Sequence, residues 1–537
     1  MTADLKKIRF ETGMTTVFAA VILVFVFAPL LFPTVPAPYW FHERFFNLTT
    51  IVSNFRETGV FTFDGATPTN DFSPLYLLIL RGLSAMFTSV STTFFIAVRA
   101  VIGLFAALTL FLFDRLSARL AFKRAPAERF LPLSFLLAAE LCFSASGSDV
   151  FLALFSLFLN ALCLREALTN PTVKTGLFYG LSVSLAVSAR FDAVVFFVTT
   201  LLVFYFQFNF KNPITTKQLL KLLPALFVGL VPLIVYIHLQ QTLYGLTSPA
   251  EFAAATKAQD IAPWRIASVL IVSPLRHLLK SPISIAVLTF PTLLLGLTAY
   301  ASFPWVEREQ RPADTVFYSL VWFPILHLIL LASVTYITLP EYAFYPLAVG
   351  APAALAFAVR RIEDQLAENG KEKETSQARL AWTGLSVCFC VIALFSITRP
   401  RSAVYQPIIA AIGEFQSARP GRYAMGGGAG MLAWKTGAEV ARLDGTAMDA
   451  KLLNDLDAQS SLDKVLKAYR ADYYVALNPV KGENTPCYAA REPAQNRFGG
   501  SNKGFSDWLC AAPVFERKIS PKLSVGVFRI NENGKAY

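Results

Sequence analysis

The chain has 537 residues, of which 55% are hydrophobic and only 16% are charged, and its mean hydropathy is +0.50. Soluble domains have about a quarter of their residues charged, so this composition excludes an ordinary soluble protein. The formal net charge of +12 resides on loops between apolar blocks. There it indicates membrane topology rather than a nucleic-acid-binding surface.

Long apolar blocks dominate the first 398 residues, and a block of about 18 or more such residues can cross a bilayer. The first block has no charged residue and is too long for a cleavable signal. By hydropathy the blocks predict about eleven membrane spans. The predicted spans are 14–32, 94–113, 130–143, 150–164, 175–189, 193–208, 220–237, 281–303, 315–333, 342–359 and 381–397.

Basic residues cluster on every second loop between these blocks. Lys6, Lys7 and Arg9 precede the first span, and Arg360 and Arg361 follow the tenth. The side that carries such loops is expected to be cytoplasmic. The N-terminus is therefore predicted in the cytoplasm, and an odd number of spans puts the C-terminal tail outside the membrane.

Three long segments fall on the outer side in this topology. They are 33–87, 240–280 and the tail 399–537. We therefore predict an α-helical polytopic membrane domain over residues 1–398, followed by an extracytoplasmic domain over residues 399–537.

The tail has the polarity of a soluble domain and mixes two periodicities. Strand patterns cover Tyr423–Met425 and Tyr473–Leu477, and helical patterns cover 447–457 and 462–469, so we predict a small α/β domain.

Six cysteines divide between the apolar blocks and the tail. Cys487 and Cys510 lie in the tail, where an external location permits a disulfide. Their separation in space is not given by the sequence, so the pairing stays open. Their spacing is not that of a metal site, and the four histidines are scattered, so no zinc site is indicated.

Glu43 is the first candidate catalytic residue. It lies in the outer segment 33–87, beside His42 and Arg44 and just before Phe45 and Phe46. A carboxylate among aromatic side chains above a membrane is suited to act as a general base. The alternative is structural: Glu43 pairs with Arg44 or caps an interfacial helix.

Four more charged residues lie at predicted outer span ends. Asp149 is either a helix N-cap or a site residue. Arg190 and Asp192 share a short outer turn, as a mutual ion pair or as part of a substrate site. Arg99 either snorkels to the interface or, like Arg190, binds a lipid phosphate through its planar guanidinium.

The second outer segment, 240–280, is basic although it lies on the non-cytoplasmic side. It carries Tyr244 and Gly245 near its start, followed by the basic residues Lys257, Arg265, Arg276, His277 and Lys280. Its charge suggests an anionic substrate, or else pairing with Glu251 or Asp260.

These motifs together resemble the GT-C superfamily of membrane glycosyltransferases, and most nearly the terminal arabinofuranosyltransferases of mycobacterial cell walls and their bacterial relatives. The likeness covers nearly the whole chain, in order. The matching segments are 43–47, 59–63, 73–76, 146–149, 189–192, the positions Tyr244, Gly245, Pro249 and Lys257, and 428–430 with 443–445. Two positions depart from the pattern: His42 stands where the family has a second carboxylate, and Phe191 where it has proline.

The resemblance implies an inverting hexosyl or pentosyl transferase in a bacterial plasma membrane. It would move a sugar from a polyprenyl-phosphate donor to an external glycan or lipid, which the tail would help to position. Glu43 would be the base, and Arg190 with Arg99 or Lys257 would hold the phosphate.

Asp71, Asp149 and Asp192 would contact sugar hydroxyls or a divalent cation, and Tyr244 would line the substrate site. The missing carboxylate at His42 leaves the metal requirement and the sugar open. Rival interpretations are a transporter or flippase of lipid-linked sugars, and a non-catalytic membrane scaffold.

Overall fold

The computed structural model of the protein describes residues 2–70, 72–88, 91–119, 126–210, 216–245, 312–333, 345–397, 405–443, 449–483, 485–492, 504–521 and 523–537. Up to residue 397 the described chain is mainly helical. The helices are α1 (Thr2–Leu31), α2 (Glu43–Thr58), α3 (Pro74–Met86), α4 (Thr92–Arg119), α5 (Pro126–Ser144), α6 (Val150–Thr169), α7 (Val173–Ala189), α8 (Val194–Phe210), α9 (Thr216–Tyr244), α10 (Pro312–Ser333), α11 (Leu347–Glu368) and α12 (Glu372–Ile397).

The apolar helices make this a polytopic membrane fold. Five helical segments of the described chain are long and apolar enough to span a bilayer: Glu11–Leu31, Thr92–Ala118, Val150–Thr169, Leu226–Tyr244 and Glu372–Phe395. Each predicted span falls on a helix in whole or in part, except 281–303, which lies outside the described residues. The count of eleven spans stays a prediction.

Helices α7 and α9 approach each other through two glycines. A methyl group on Gly180 would lie 2.5 Å from the carbonyl oxygen of Leu226 and 2.8 Å from the Cα of Gly229. Ser184 Oγ donates a hydrogen bond to the carbonyl oxygen of Gly229 at 2.9 Å. Close backbone contact through small residues is how membrane helices pack without a hydrophobic driving force.

Substitution of Gly180 by alanine is therefore expected to destabilise the helix bundle. The added methyl group meets backbone, which cannot rotate away, so we expect a cost of about 1–3 kcal/mol. The measurement is the melting temperature of the purified protein in detergent. Gly384→Ala on α12 is the control, because no described atom lies within 4 Å of the new methyl group. Equal melting of the Gly180 and Gly384 variants would contradict the close contact.

After residue 405 the chain mixes helices and strands. The elements are α13 (Gln406–Ala418), β1 (Tyr423–Met425), α14 (Ala429–Thr436), β2 (Val440–Arg442), α15 (Ala450–Asp457), α16 (Leu462–Ala468), β3 (Tyr473–Leu477), β4 (Val480–Lys481), β5 (Tyr488–Glu492), β6 (Phe505–Leu509), β7 (Phe515–Ser520) and β8 (Leu523–Arg529). The division of the chain at residue 398 stays a prediction, because 398–404 lie outside the described residues.

Two sheets organise this C-terminal part. The larger has the order β2-β1-β3-β8-β7. Strands β2, β1 and β3 are parallel to one another, and β8 runs antiparallel to both of its neighbours, β3 and β7. Helix α14 makes the crossover from β1 to β2, so it lies at the carboxyl end of β1. The smaller sheet has the order β4-β5-β6.

A disulfide joins Cys487, just before β5, to Cys510, just after β6. The pairing that the sequence left open is therefore made in the structure. A bridge that closes a loop of this size contributes about 2–4 kcal/mol. The double variant Cys487→Ser/Cys510→Ser is expected to lose that stability, as measured by denaturation of the purified protein. Cys388→Ser, at an exposed free cysteine of α12, is the control. A double variant as stable as this control would contradict the expectation.

Candidate active site

The turn 145–149 packs directly on the segment that begins α2. The backbone N–H of His42 donates to the carbonyl oxygen of Ser146 at 2.8 Å. Gly147 has a left-handed backbone, with φ of +77°, and a methyl group there would lie 2.6 Å from the Phe41 ring and 2.9 Å from the Phe45 ring. Only glycine fits this contact without strain, so two motifs that are distant in sequence become neighbours.

The segment 73–76, which starts α3, contacts the turn 145–149 as well. Tyr76 donates its hydroxyl hydrogen to the carbonyl oxygen of Gly147 at 3.0 Å. Ser73, which caps α3, donates to the carbonyl oxygen of Ser188 at 3.2 Å, two residues before Arg190. The segments 42–47, 73–76, 146–149 and 188–192 therefore meet at one end of the helices.

Glu43 lies at the start of α2 and is only 4% exposed. Its Oε1 lies 3.0 Å from Nη1 of Arg442. The backbone N–H of Gly428 donates to the same oxygen, and Arg442 also donates to the side-chain oxygen of Asn47, one turn further along α2. The structural alternatives from the sequence were pairing with Arg44 or capping of a helix, and the structure adds an arginine from the C-terminal part as a partner of this carboxylate.

The second group of charges surrounds Arg190. Its Nε and Nη2 donate to the two oxygens of Asp192 at 3.0 and 2.8 Å, and Nη1 donates to Asp149 Oδ1 at 3.1 Å. The hydroxyl of Tyr345 donates to Asp192 at 3.1 Å, and its ring lies under the Arg190 guanidinium at 4.8 Å. Nε2 of the fully buried His327 lies 3.3 Å from the same carboxylate.

The two aspartates that bind Arg190 lie in two different turns. Asp149 occupies the N-cap position of α6, but its side chain makes no capping hydrogen bond and accepts from Arg190 instead. Burial by itself would raise the pKa of Asp192, in the turn before α8, but the charge of Arg190 and hydrogen bonds from His327 and Arg190 lower that pKa below its ordinary value. Asp192 is therefore held as an anion.

Sequence reasoning missed His327, Tyr345 and Arg442. The first two lie in or beside apolar blocks, and Arg442 ends a short buried strand. A single histidine in an apolar block is a weak signal, and nothing in the sequence connects these positions to Asp192 or Glu43. A lone arginine in a short apolar strand is a stronger signal, because a buried charge needs a partner.

The remaining predicted residues have other contacts in the structure or lie outside the described chain. Arg99 is buried in α4, where its Nε donates to the carbonyl oxygen of Phe25 at 2.6 Å and its guanidinium lies over the Phe25 and Trp40 rings. It therefore lies inside the protein instead of snorkelling at its surface. Asp71 and Lys257 lie outside the described residues.

Tyr244 ends α9 and is partly buried. One turn earlier on the same helix, Gln240 accepts a hydrogen bond from Asn70 at 3.1 Å, so this helix end is tied to the first outer segment. In the described part of the chain, no cluster of three or more histidine, cysteine, aspartate or glutamate side chains is arranged to hold a metal ion. The divalent cation stays a prediction.

Comparison with known proteins gives likenesses of fold. No protein-family model matches the chain, and no curated protein matches it. It is similar to the structure of ArnT from Cupriavidus metallidurans bound to undecaprenyl phosphate, with 12% identity over 96% of this chain and 98% of that one, and a TM-score of 0.48.

Two further solved structures are similar. The arabinosyltransferase EmbB from Mycobacterium smegmatis has 14% identity and a TM-score of 0.39, over 64% of this chain and 30% of that one. An oligosaccharyltransferase from Archaeoglobus fulgidus, tethered with an acceptor peptide, has 10% identity and a TM-score of 0.48, over 86% and 69%.

Proposed function

We propose that the protein is a membrane glycosyltransferase that moves a sugar from a polyprenyl-phosphate donor to an external glycan or lipid acceptor, with inversion at the anomeric carbon. The observation that carries the proposal is the convergence of four distant motif segments. Together they surround one buried carboxylate, Glu43, and one arginine with two aspartates, Arg190 with Asp149 and Asp192.

Glu43 would act as the general base. It would take the proton from the acceptor hydroxyl while that oxygen bonds to the anomeric carbon. The bond from that carbon to the donor phosphate oxygen breaks in the same step, and its electron pair leaves with the polyprenyl phosphate. A positioned carboxylate contributes about 10²–10⁴-fold to such a transfer.

The Arg190 group would bind the sugar. Two carboxylates already accept from its guanidinium, so the group as a whole is not basic. The excess of carboxylates favours Asp149 and Asp192 as hydrogen-bond acceptors for sugar hydroxyls. Arg190 would hold both carboxylates in place and stabilise the negative charge of the leaving phosphate. We expect the donor phosphate to find its further cations in the outer segment that contains Lys257. The packing of Arg99 favours a structural role.

The proposed orientation has the N-terminus in the cytoplasm and this site on the outer face. The disulfide between Cys487 and Cys510 supports it, because disulfides persist in oxidising compartments.

Purified protein in lipid vesicles, supplied with a panel of radiolabelled polyprenyl-phosphate sugars, tests the function. Label that moves from the donor to an acceptor would establish transfer and name the sugar. Absence of transfer with every donor, together with label that crosses the bilayer, would replace the proposal with a transporter. If neither transfer nor crossing occurs while Glu43 and Arg190 are dispensable in cells, a scaffold role would follow.

A further inference from the structure

The glycine-rich turn between β1 and α14 lies against the first turn of α2. Gly428 has a left-handed backbone, with φ of +96°, and its N–H donates to Glu43. A methyl group on Gly430 would overlap the side-chain oxygen of Asn47 and lie 2.9 Å from its backbone nitrogen. The two backbones therefore approach as closely as glycine allows.

Apolar contacts hold the same pair of helices together. Trp434 on α14 packs against Phe46 with ring centroids 4.9 Å apart, and against Phe95 of α4 at 5.7 Å. A second ion pair, between Arg422 and Asp64 at 3.2 Å, attaches the C-terminal part to the first outer segment. The C-terminal part is thus fixed to the site at several points.

The packing of the C-terminal part on α2 places Arg442 beside Glu43. This arginine is 6% exposed and reaches Glu43 and Asn47, which are four residues apart and therefore on one face of α2. A buried charge requires a partner with good geometry, and here one guanidinium nitrogen contacts both side chains. The orientation of the Glu43 carboxylate is consequently set by a residue from the C-terminal part.

We propose that Arg442 is a positioning residue for Glu43. The glycine-rich turn allows α14 to pack closely on α2, and this packing places Arg442, at the end of β2, beside the Glu43 carboxylate. The inference rests on the proposed function. A carboxylate at the first turn of a helix has several rotamers, and a base that must meet an acceptor hydroxyl gains from being held in one of them. Arg442 acts on the reaction only through Glu43 and Asn47.

The test compares Arg442→Met and Arg442→Lys with the wild type. Arg442→Met is expected to lower kcat by about 100-fold, the size of effect that a small misplacement produces, with the affinity for the donor unchanged. Arg442→Lys keeps the charge and is expected to recover part of kcat. Arg517→Met is the control, because Arg517 forms an exposed pair with Glu414 far along the chain from the site residues.

Gly430→Ala is expected to reproduce the kcat loss of Arg442→Met, since the added methyl group displaces α14 from α2. Its control is Gly413→Ala in α13, where the new methyl group meets only Thr436 at an ordinary 3.7 Å. Combining Arg442→Met with Glu43→Gln is expected to lower the rate no further than Glu43→Gln alone, because both changes act through one carboxylate.

The outcomes separate this inference from the proposed function. Normal kcat in Arg442→Met, with Glu43→Gln inactive, would overturn the positioning role and leave the function intact. Normal kcat in Glu43→Gln would overturn the base assignment itself. A lower melting temperature in Arg442→Met without rescue by lysine, and with donor affinity lost as well, would make the arginine a packing residue only and overturn the inference.

Discussion

Glu43→Gln is expected to lower sugar transfer by about 10²–10⁴-fold, the usual contribution of a general base. The amide keeps the shape of the side chain but cannot accept the acceptor proton. Donor binding is expected to persist, because the proposed sugar and phosphate contacts lie elsewhere. The measurement is kcat for transfer from the radiolabelled donor, with donor affinity determined separately.

Two further variants make this result specific. Glu57→Gln changes an exposed carboxylate on the same helix and is expected to leave kcat unchanged. Glu43→Asp keeps the negative charge that pairs with Arg442, but its side chain is one methylene shorter. We expect this variant to fold normally and to transfer the sugar slowly. Turnover close to wild type in Glu43→Gln would remove Glu43 from the mechanism.

Arg190→Met is expected to cost about 3–5 kcal/mol of stability, because it leaves the buried Asp149 and the mostly buried Asp192 without their counter-charge. Transfer should fall as well, since the two carboxylates would no longer hold the orientation proposed for sugar binding. The melting temperature and the donor KM measure the two effects. Arg360→Met, in a half-exposed pair with Asp364 one turn along α11, is the control and should cost less than about 1 kcal/mol.

The stability difference between wild type and Arg190→Met should depend on pH. The pKa of Asp192 is lowered in the folded protein, so its ion pair contributes fully above the ordinary aspartate pKa of about 3.9. That contribution is lost as the pH falls from there through the lowered pKa. The two proteins should therefore differ most near neutral pH and converge in acid. A difference that grows in acid would contradict the assignment.

Hydropathy and motif order were enough to predict the apolar helices and the candidate residues of the site. Apolar blocks form helices in a bilayer because every backbone group must be hydrogen-bonded within the segment, and this requirement is local. The strands Tyr423–Met425 and Tyr473–Leu477 have the bounds that their patterns predicted. The motif order likewise indicated Glu43, Asp149, Arg190 and Asp192 before any contact was known.

The partners of these residues depend on the packing of segments that are distant in sequence. Asp149 has the position of an N-cap, yet its carboxylate turns to Arg190. Glu43 pairs with Arg442. His327, on α10, and Tyr345, just before α11, both come to Asp192 from positions far along the chain. Helix formation depends on residues that are neighbours in sequence. A buried charge, in contrast, needs a partner within hydrogen-bonding distance, and the packing of distant segments, such as α14 on α2, supplies that partner.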